Sequence, residues 1–299
     1  MPDGHGTEVI ALFGPTGVGK TGVAIALADL LRVRKERPIA ISADALQVYR
    51  GLATLTGAAT PAEQARLEHR LLSFVPIESE FSVGEFMPRA HTEIDAALAS
   101  GRRPIVVGGT GLYVRAALTN LTLKPPPPPE LRARIEREVA QVGPEALHAR
   151  LNTAAAATIE PTDRSRVVRA LELAEMGEDA DPPDQSQLWT TETRLPTRLF
   201  GLTMEREALY ERIDARVDAM IAGGAGEEVE RAQGASRTAR KALGFEELLS
   251  GDVEAMKRRT RNYAKRQLTW MRKLPNVRLI DMTGTSPLAA GAEIAREFA

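Results

Sequence analysis

The sequence has no cysteine. That excludes disulfides, thiolate zinc sites and cysteine nucleophiles together. Histidine is scarce too: His5, His69, His91 and His148 are scattered, with no His-Glu-x-x-His or similar pair, so nothing predicts a catalytic zinc. No apolar run approaches the roughly 18 residues of a membrane span. The opening MPDGHGTE is acidic and polar, unlike a secretory signal. Neither sign of charge is in excess, since 39 Lys and Arg stand against 40 Asp and Glu for a net −1. Any nucleic-acid surface is therefore a local patch rather than a property of the whole chain. These absences predict a cytoplasmic protein with no membrane partner, and 299 residues with 43% hydrophobic content suffice for a sizeable core.

What is present begins with alternation. Val9–Phe13, Ile39–Ser42 and Pro104–Val107 read as short apolar strands, with helices expected over 20–34 and 85–99. In the first helix Val23, Ala26, Leu27, Leu30 and Leu31 share one face. Apolar strands separated by helices predict a parallel sheet covered by helices, with ligands at the carboxyl ends of its strands. The pattern changes at KPPPPPE (124–130), a stiff polyproline spacer. Helices are expected beyond it over 130–142, 144–151 and 163–176, then a loop over 178–187. Residues 198–202 return to strand, and a helix over 205–222 turns Leu209, Ile213, Val217 and Met220 inward. The expected plan is an α/β core over 1–123, a helical insertion over 124–196, and completion of the core with basic helices over 197–299.

The sharpest motif is GPTGVGKT (14–21), which meets G-x-x-x-x-G-K-[ST] between a strand and a helix. In such a loop the backbone amides of Gly14, Pro15, Thr16, Gly17, Val18 and Gly19, so far as each has one, cradle phosphate with the helix N-terminus. Lys20 neutralises the terminal phosphate and the Thr21 hydroxyl ligates Mg²⁺. The alternative is a glycine turn capping an ordinary helix. ATPases commonly place a second acid at a strand end, yet Pro104–Val107 runs into Gly108-Gly109-Thr110-Gly111. Asp44, after the second strand, is either a general base or metal partner facing the loop, or a cap on its own turn. Thr110 either donates into the site or belongs to a plain turn. Arg212 and Arg216, one helical turn apart, reach a diphosphate or pair at the surface.

A different clue lies near the C-terminus. KRRTRNYAKRQLTWMRK (257–273) carries eight basic residues and no acid. Arg258, Arg261, Lys265 and Arg272 fall on one stripe, with Tyr263, Gln267 and Trp270 on the next. This is either a phosphate footprint or a solvated face balanced by acids elsewhere. Arg164, Arg166 and Arg169 would add a second basic edge.

Together the motifs resemble the tRNA dimethylallyltransferase (tRNA isopentenyltransferase) family of bacterial type, through nearly the whole chain. The resemblance rests on GPTGVGKT, SADALQVYRG (42–51), VVGGTGLYVRAAL (106–118), RVVRALEL (166–173), LYERIDARVDAMI (209–221), KALGFEEL (241–248) and YAKRQLTWMRK (263–273). It implies a P-loop NTPase-like core that binds dimethylallyl diphosphate and passes the five-carbon group to N6 of adenosine 37 of tRNA. Asp44 would be the base, Thr110 catalytic, and Lys20, Mg²⁺ on Thr21 and Arg216 would meet the departing diphosphate. The anticodon stem-loop would meet Asp44, Ala45, Leu46 and Gln47, then Ser165, Arg166, Val167, Val168 and Arg169. It would also meet Ala242, Leu243, Gly244, Phe245, Glu246 and Glu247. The charge footprint, read as phosphate-binding, adds Arg261, Lys265 and Arg266 as expected tRNA contacts. A monomer is expected, though the sequence does not fix the oligomeric state. Glu160 stands where many relatives carry histidine, and 223–241 is shorter than usual. Competing readings are an adenylate isopentenyltransferase, a small-molecule kinase and a non-catalytic RNA-binding protein.

Overall fold

The computed structural model describes residues 8–178 and 187–298, so the loop expected over 178–187 lies almost wholly outside the described residues. The chain divides into two compact units, Met1–Leu121 with Leu188–Ala299, and Thr122–Gln187.

The larger unit is built on a six-stranded sheet in the order β3-β2-β4-β1-β5-β6. The strands are β1 (Val9–Phe13), β2 (Pro38–Ser42), β3 (His69–Arg70), β4 (Arg103–Gly108), β5 (Thr197–Thr203) and β6 (Val277–Asp281). Every pairing is parallel. Central β1 sets Ile10 opposite Ile105 of β4 and Ala11 opposite Leu199 of β5. All five of its residues are buried, as a strand covered on both faces requires. Ile10 and Leu12 join Val23, Leu27 and Leu31 of the helix Lys20–Val33 and Ile294 of the helix Pro287–Arg296 in the principal core. Val9, Ala11 and Phe13 point the other way, where the helix Val83–Ala99 packs on Gly111–Leu118 through Phe86 and Tyr113.

The sheet positions the site through its order. The connections that leave β1, β2 and β4 at their carboxyl ends are GPTGVGKT, the Asp44 segment and GGTG, and these strands are neighbours in the sheet. Such crevices at strand ends are where α/β sheets bind ligands.

The smaller unit holds the helices Pro129–Val142, Pro144–His148, Thr153–Thr158 and Arg164–Glu175. Their core is Ile135, Val139, Leu147, Val167, Val168 and Leu171. The last proline of the run opens the first helix, where its missing N–H costs nothing. The helix expected over 144–151 stops at His148 because Asn152 starts another, accepting the Ala155 N–H at 2.7 Å. Glu172 is fully buried, bonded by both the Nε and Nη2 of Arg132 at 2.6 Å.

Candidate active site

Glycine backbone makes the phosphate loop. Gly17 and Gly19 have φ of +84° and +101°, and a side chain at Gly17 would press on Ile213. Gly19 precedes the helix Lys20–Val33 without any side-chain cap, and no acid occupies its first turn. By contrast Ser82 and Glu85 close the start of Val83–Ala99 with a capping box. The uncapped helix therefore keeps its N–H groups and positive dipole end for an anion. Thr16, Gly17, Gly19, Lys20 and Thr21 line a cavity of about 740 Å³. Gly14, Pro15 and Val18 are buried and shape the turn, so their contribution is backbone geometry rather than side-chain contact.

Lys20 Nζ donates to the carbonyls of Gly14 and Pro15, each at 2.9 Å. Burial pulls its pKa from 10.5 down to about 8, against the opposing pull of Asp44. Opposite it, the helix Arg206–Ala222 brings Arg216 to the wall. Arg216 Nη2 donates to the Gly57 carbonyl at 3.3 Å, while its buried Nε has no partner. Burial also lowers its pKa, with Asp44 again opposing. A buried guanidinium with a spare N–H is a site prepared for an anion. Gly57 permits it, since a Cβ there would overlap the guanidinium. Of the two arginines left open by the sequence, Arg216 is thus the enclosed one. Arg212 lines the cavity from an exposed position beside Gly19.

Asp44 lines the same cavity. One carboxylate oxygen accepts the N–H groups of Leu46 at 2.9 Å and Gln47 at 3.3 Å, so it caps its turn and still faces the loop. The capping role is thus shown, and the carboxylate is also part of the cavity lining. Gln47 Nε2 reaches the Gly57 carbonyl at 3.2 Å, tying this turn to the partner of Arg216. Thr110 precedes the helix Gly111–Leu118 but does not cap it with its side chain. Its hydroxyl instead accepts the Ala45 N–H at 3.3 Å and lies 3.3 Å from the Tyr263 hydroxyl. The lining also has apolar side chains, Leu55, Val217, Met220, Leu243 and Met256.

For a divalent cation the nearby protein donors are oxygens, the Thr21 hydroxyl and the Asp44 carboxylate, which suits a hard ion. Among the described residues no group of three or more His, Cys, Asp or Glu could hold a metal ion, so these two oxygens alone would not complete a cation's shell.

The residues expected to contact RNA lie in different surroundings. Val167 and Val168 are buried in the core of the smaller unit, and Ala242, Gly244 and Phe245 are buried in the larger. These residues are therefore enclosed within the protein. Glu246 pairs with Arg240 at 2.9 Å and Glu247 with Arg259 at 2.7 Å, roles that neutralise charge within the chain. Arg169 holds the Lys124 and Pro125 carbonyls at 3.1 and 2.6 Å, whereas Ser165 and Arg166 are exposed. On the helix Val253–Met271, Lys265 and Arg266 are exposed, while Arg261 is bidentate to Asp214, both bonds at 2.6 Å. Sequence reasoning assigned no site role to Gln267, Tyr263 or Gly57, although all three line the cavity. The first two sit one turn apart within YAKRQLTWMRK, so their spacing was a usable signal; Gly57 had none.

A parallel α/β sheet, a phosphate loop and a cavity lined by both cationic and apolar side chains define a P-loop group-transfer enzyme. The family described as IPP transferase matches residues 47–274, and one described as isopentenyl transferase matches residues 7–86. A tRNA dimethylallyltransferase of Symbiobacterium thermophilum is 40% identical over 293 residues, 92% of this chain and 90% of that one. One from Kineococcus radiotolerans is 40% identical over 301 residues, covering 94% and 93%. Among solved structures, the tRNA isopentenylpyrophosphate transferase of Bacillus halodurans superposes with a TM-score of 0.70 at 33% identity, covering 97% of this chain and 95% of that one. A eukaryotic dimethylallyltransferase acting on tRNA gives 0.71 at 25% identity, covering 93% and 74%. This chain belongs to the IPP transferase family.

Proposed function

We propose that this enzyme transfers the dimethylallyl group of dimethylallyl diphosphate to N6 of adenosine 37 in tRNA, releasing diphosphate. The observation that carries the reading is the cavity itself. The half-buried cations Lys20 and Arg216 share its lining with the apolar side chains Leu55, Val217, Met220, Leu243 and Met256 and with the Asp44 carboxylate. A short prenyl diphosphate has matching halves. The names of the relatives, tRNA dimethylallyltransferase, support the acceptor class.

In the reaction the N6 lone pair forms a bond to C1 of the donor while the C1–O bond breaks, and its electron pair leaves with diphosphate. The N6 proton passes to the Asp44 carboxylate, whose orientation is set by the Leu46 and Gln47 amides. Lys20, Arg216 and the loop amides stabilise charge growing on the departing oxygen. The Thr21 hydroxyl would hold Mg²⁺, a divalent ion that would supply further positive charge at this site. Thr110 steadies the Asp44 segment through Ala45. Ala45, Leu46, Gln47, Ser165, Arg166, Lys265 and Arg266 are the proposed contacts to the anticodon stem-loop, with the 124–196 insertion serving that substrate. The anticodon loop is already single-stranded, which keeps the cost of presenting the base low. A cytoplasmic monomer fits this role, and no helix among the described residues is long and apolar enough to cross a membrane.

The test is an acceptor assay with labelled dimethylallyl diphosphate and Mg²⁺. It offers tRNA with adenosine at position 37, the same tRNA with guanosine there, and AMP. Label in the first alone is expected. Label on AMP would make the enzyme a nucleotide prenyltransferase. Turnover of ATP with no labelled acceptor would make it a kinase.

A further inference from the structure

Gln267 is 5% exposed, although it lies on a helix whose neighbouring positions Lys265 and Arg266 face solvent. Its Oε1 accepts the Thr16 N–H at 2.8 Å and its Nε2 donates to the Gly109 carbonyl at 2.7 Å. A backbone N–H only donates and a carbonyl only accepts, so these two partners fix the orientation of the amide. One side chain thereby joins the phosphate loop after β1 to the GGTG turn after β4. The geometry leaves little slack: a Cβ at Gly109 would overlap the Gln267 amide and come within 3.2 Å of Lys20 Nζ. Gly111 is held as closely, since a side chain there would overlap the Trp270 indole three residues further along the same helix.

We infer that Gln267 is a positioning residue for the reaction, a brace that sets the shape of the diphosphate-binding loop and its distance from the strand-end turn. This rests on the proposed assignment of that loop to the donor's diphosphate. A Thr16 N–H committed to Gln267 is withheld from the phosphate, so the remaining loop amides, Lys20 and the helix N-terminus carry the contact. Tyr263, one turn earlier, makes a parallel link at 3.3 Å to Thr110, whose hydroxyl holds the Ala45 N–H. Burial pushes the Tyr263 phenol up to about 12, so it stays protonated. The two teeth of this helix thus hold the two halves of the chemistry, with Gln267 on the loop that receives diphosphate and Tyr263 toward the segment that carries Asp44. Preorganised donors of this kind act through geometry, and small displacements are expensive in rate.

The test replaces Gln267 by the apolar, similarly long methionine (Gln267→Met) and, as a polar variant that is too short to span both partners, by asparagine (Gln267→Asn). Three quantities are read: inorganic pyrophosphate affinity by calorimetry with Mg²⁺, exchange of the Thr16 amide by NMR, and affinity for unmodified tRNA. In whichever variant keeps its fold, pyrophosphate affinity should fall by roughly tenfold or more. The Thr16 amide should exchange faster, and tRNA affinity should stay within about twofold. Unchanged Thr16 exchange together with unchanged pyrophosphate affinity in a folded variant would overturn the inference. If the unmodified protein itself bound no pyrophosphate, the loop assignment beneath it would be what failed, while Thr16 exchange would still report whether the brace exists.

Discussion

One oxygen of Asp44 holds the Leu46 and Gln47 amides, so an alanine there would disturb the turn as well as the chemistry. Asp44→Asn separates the two, because the amide oxygen still accepts those N–H groups but takes up no proton at neutral pH. Turnover should fall by about 10²–10⁴, the usual contribution of a general base, with tRNA affinity retained. Single-turnover rates within about tenfold of the unmodified enzyme would remove Asp44 as base. Lys20 offers a pH test. In the free protein its proton is lost near pH 8, and a bound diphosphate stabilises the charged form. Donor affinity should therefore be insensitive to this group below pH 8 and weaken as pH rises through it. Calorimetry at about pH 8.5 in two buffers of different ionisation heat should show proton uptake on pyrophosphate binding. No uptake would mean Lys20 does not meet the anion. For stability the unfolded lysine keeps its proton up to 10.5, so the penalty for burying the charge is present below 8 and relieved between 8 and 10.5. Gly57→Ala should displace the Arg216 guanidinium and mimic Arg216→Ala, weakening pyrophosphate binding by tenfold or more, about 1.4 kcal/mol. An alanine variant with normal affinity would show that Arg216 is not a diphosphate ligand.

Periodicity and end signals made the long elements legible. β1 and the helix Lys20–Val33 stood out because a buried strand is apolar throughout and its helix shows a continuous inner face. β3 has two residues and β6 is an edge strand with Arg278, Leu279 and Asp281 exposed, so neither carries an apolar run to find. Short helices such as Ala53–Thr56, which carries the glycine beside Arg216, are set by tertiary contact, here the Glu228 carboxylate on the Thr54 and Leu55 amides at 2.9 Å. The basic helix Val253–Met271 shows the same limit for charge. Sequence counted its cations but not their partners. Lys257 pairs with Asp218 at 2.7 Å, Arg259 with Glu247 at 2.7 Å and Arg261 with Asp214 at 2.6 Å. Arg258, Lys265 and Arg266 are exposed beside them. If the helix meets RNA phosphates, Lys265→Ala should reduce the salt slope of tRNA binding by about one unit. Arg261→Ala should reduce it by less, since that cation already has a carboxylate to leave. Equal slopes in both variants and the parent would make this a solvated face.

At the scale of the whole molecule, the polyproline run marked where the pattern changes, because five successive prolines fit neither a helix interior nor a central strand. The sequence could not say which motif residues pack and which face outward, and RVVRALEL shows why: a helix buries one stripe, so the run mixes the core residues Val167 and Val168 with the exposed Arg166. The cavity is lined entirely by residues of the larger unit, from Thr16 to Pro287. Donor binding should therefore be insensitive to damage confined to Thr122–Gln187, while transfer to tRNA should not be. Glu172 provides the means. It is fully buried between Arg132 and Arg169, which are 34% and 30% exposed. Removing the carboxylate takes the buried counter-charge from Arg132 and Arg169, and their partial access to water keeps the cost at ~2–3 kcal/mol, below that of a fully enclosed pair. In Glu172→Ala the smaller unit should loosen, and kcat/KM for tRNA should drop by about fivefold or more, while pyrophosphate affinity stays within about twofold. A parallel loss of pyrophosphate affinity would show that the donor cavity depends on the insertion, and unchanged kcat/KM would leave the insertion without a part in using tRNA.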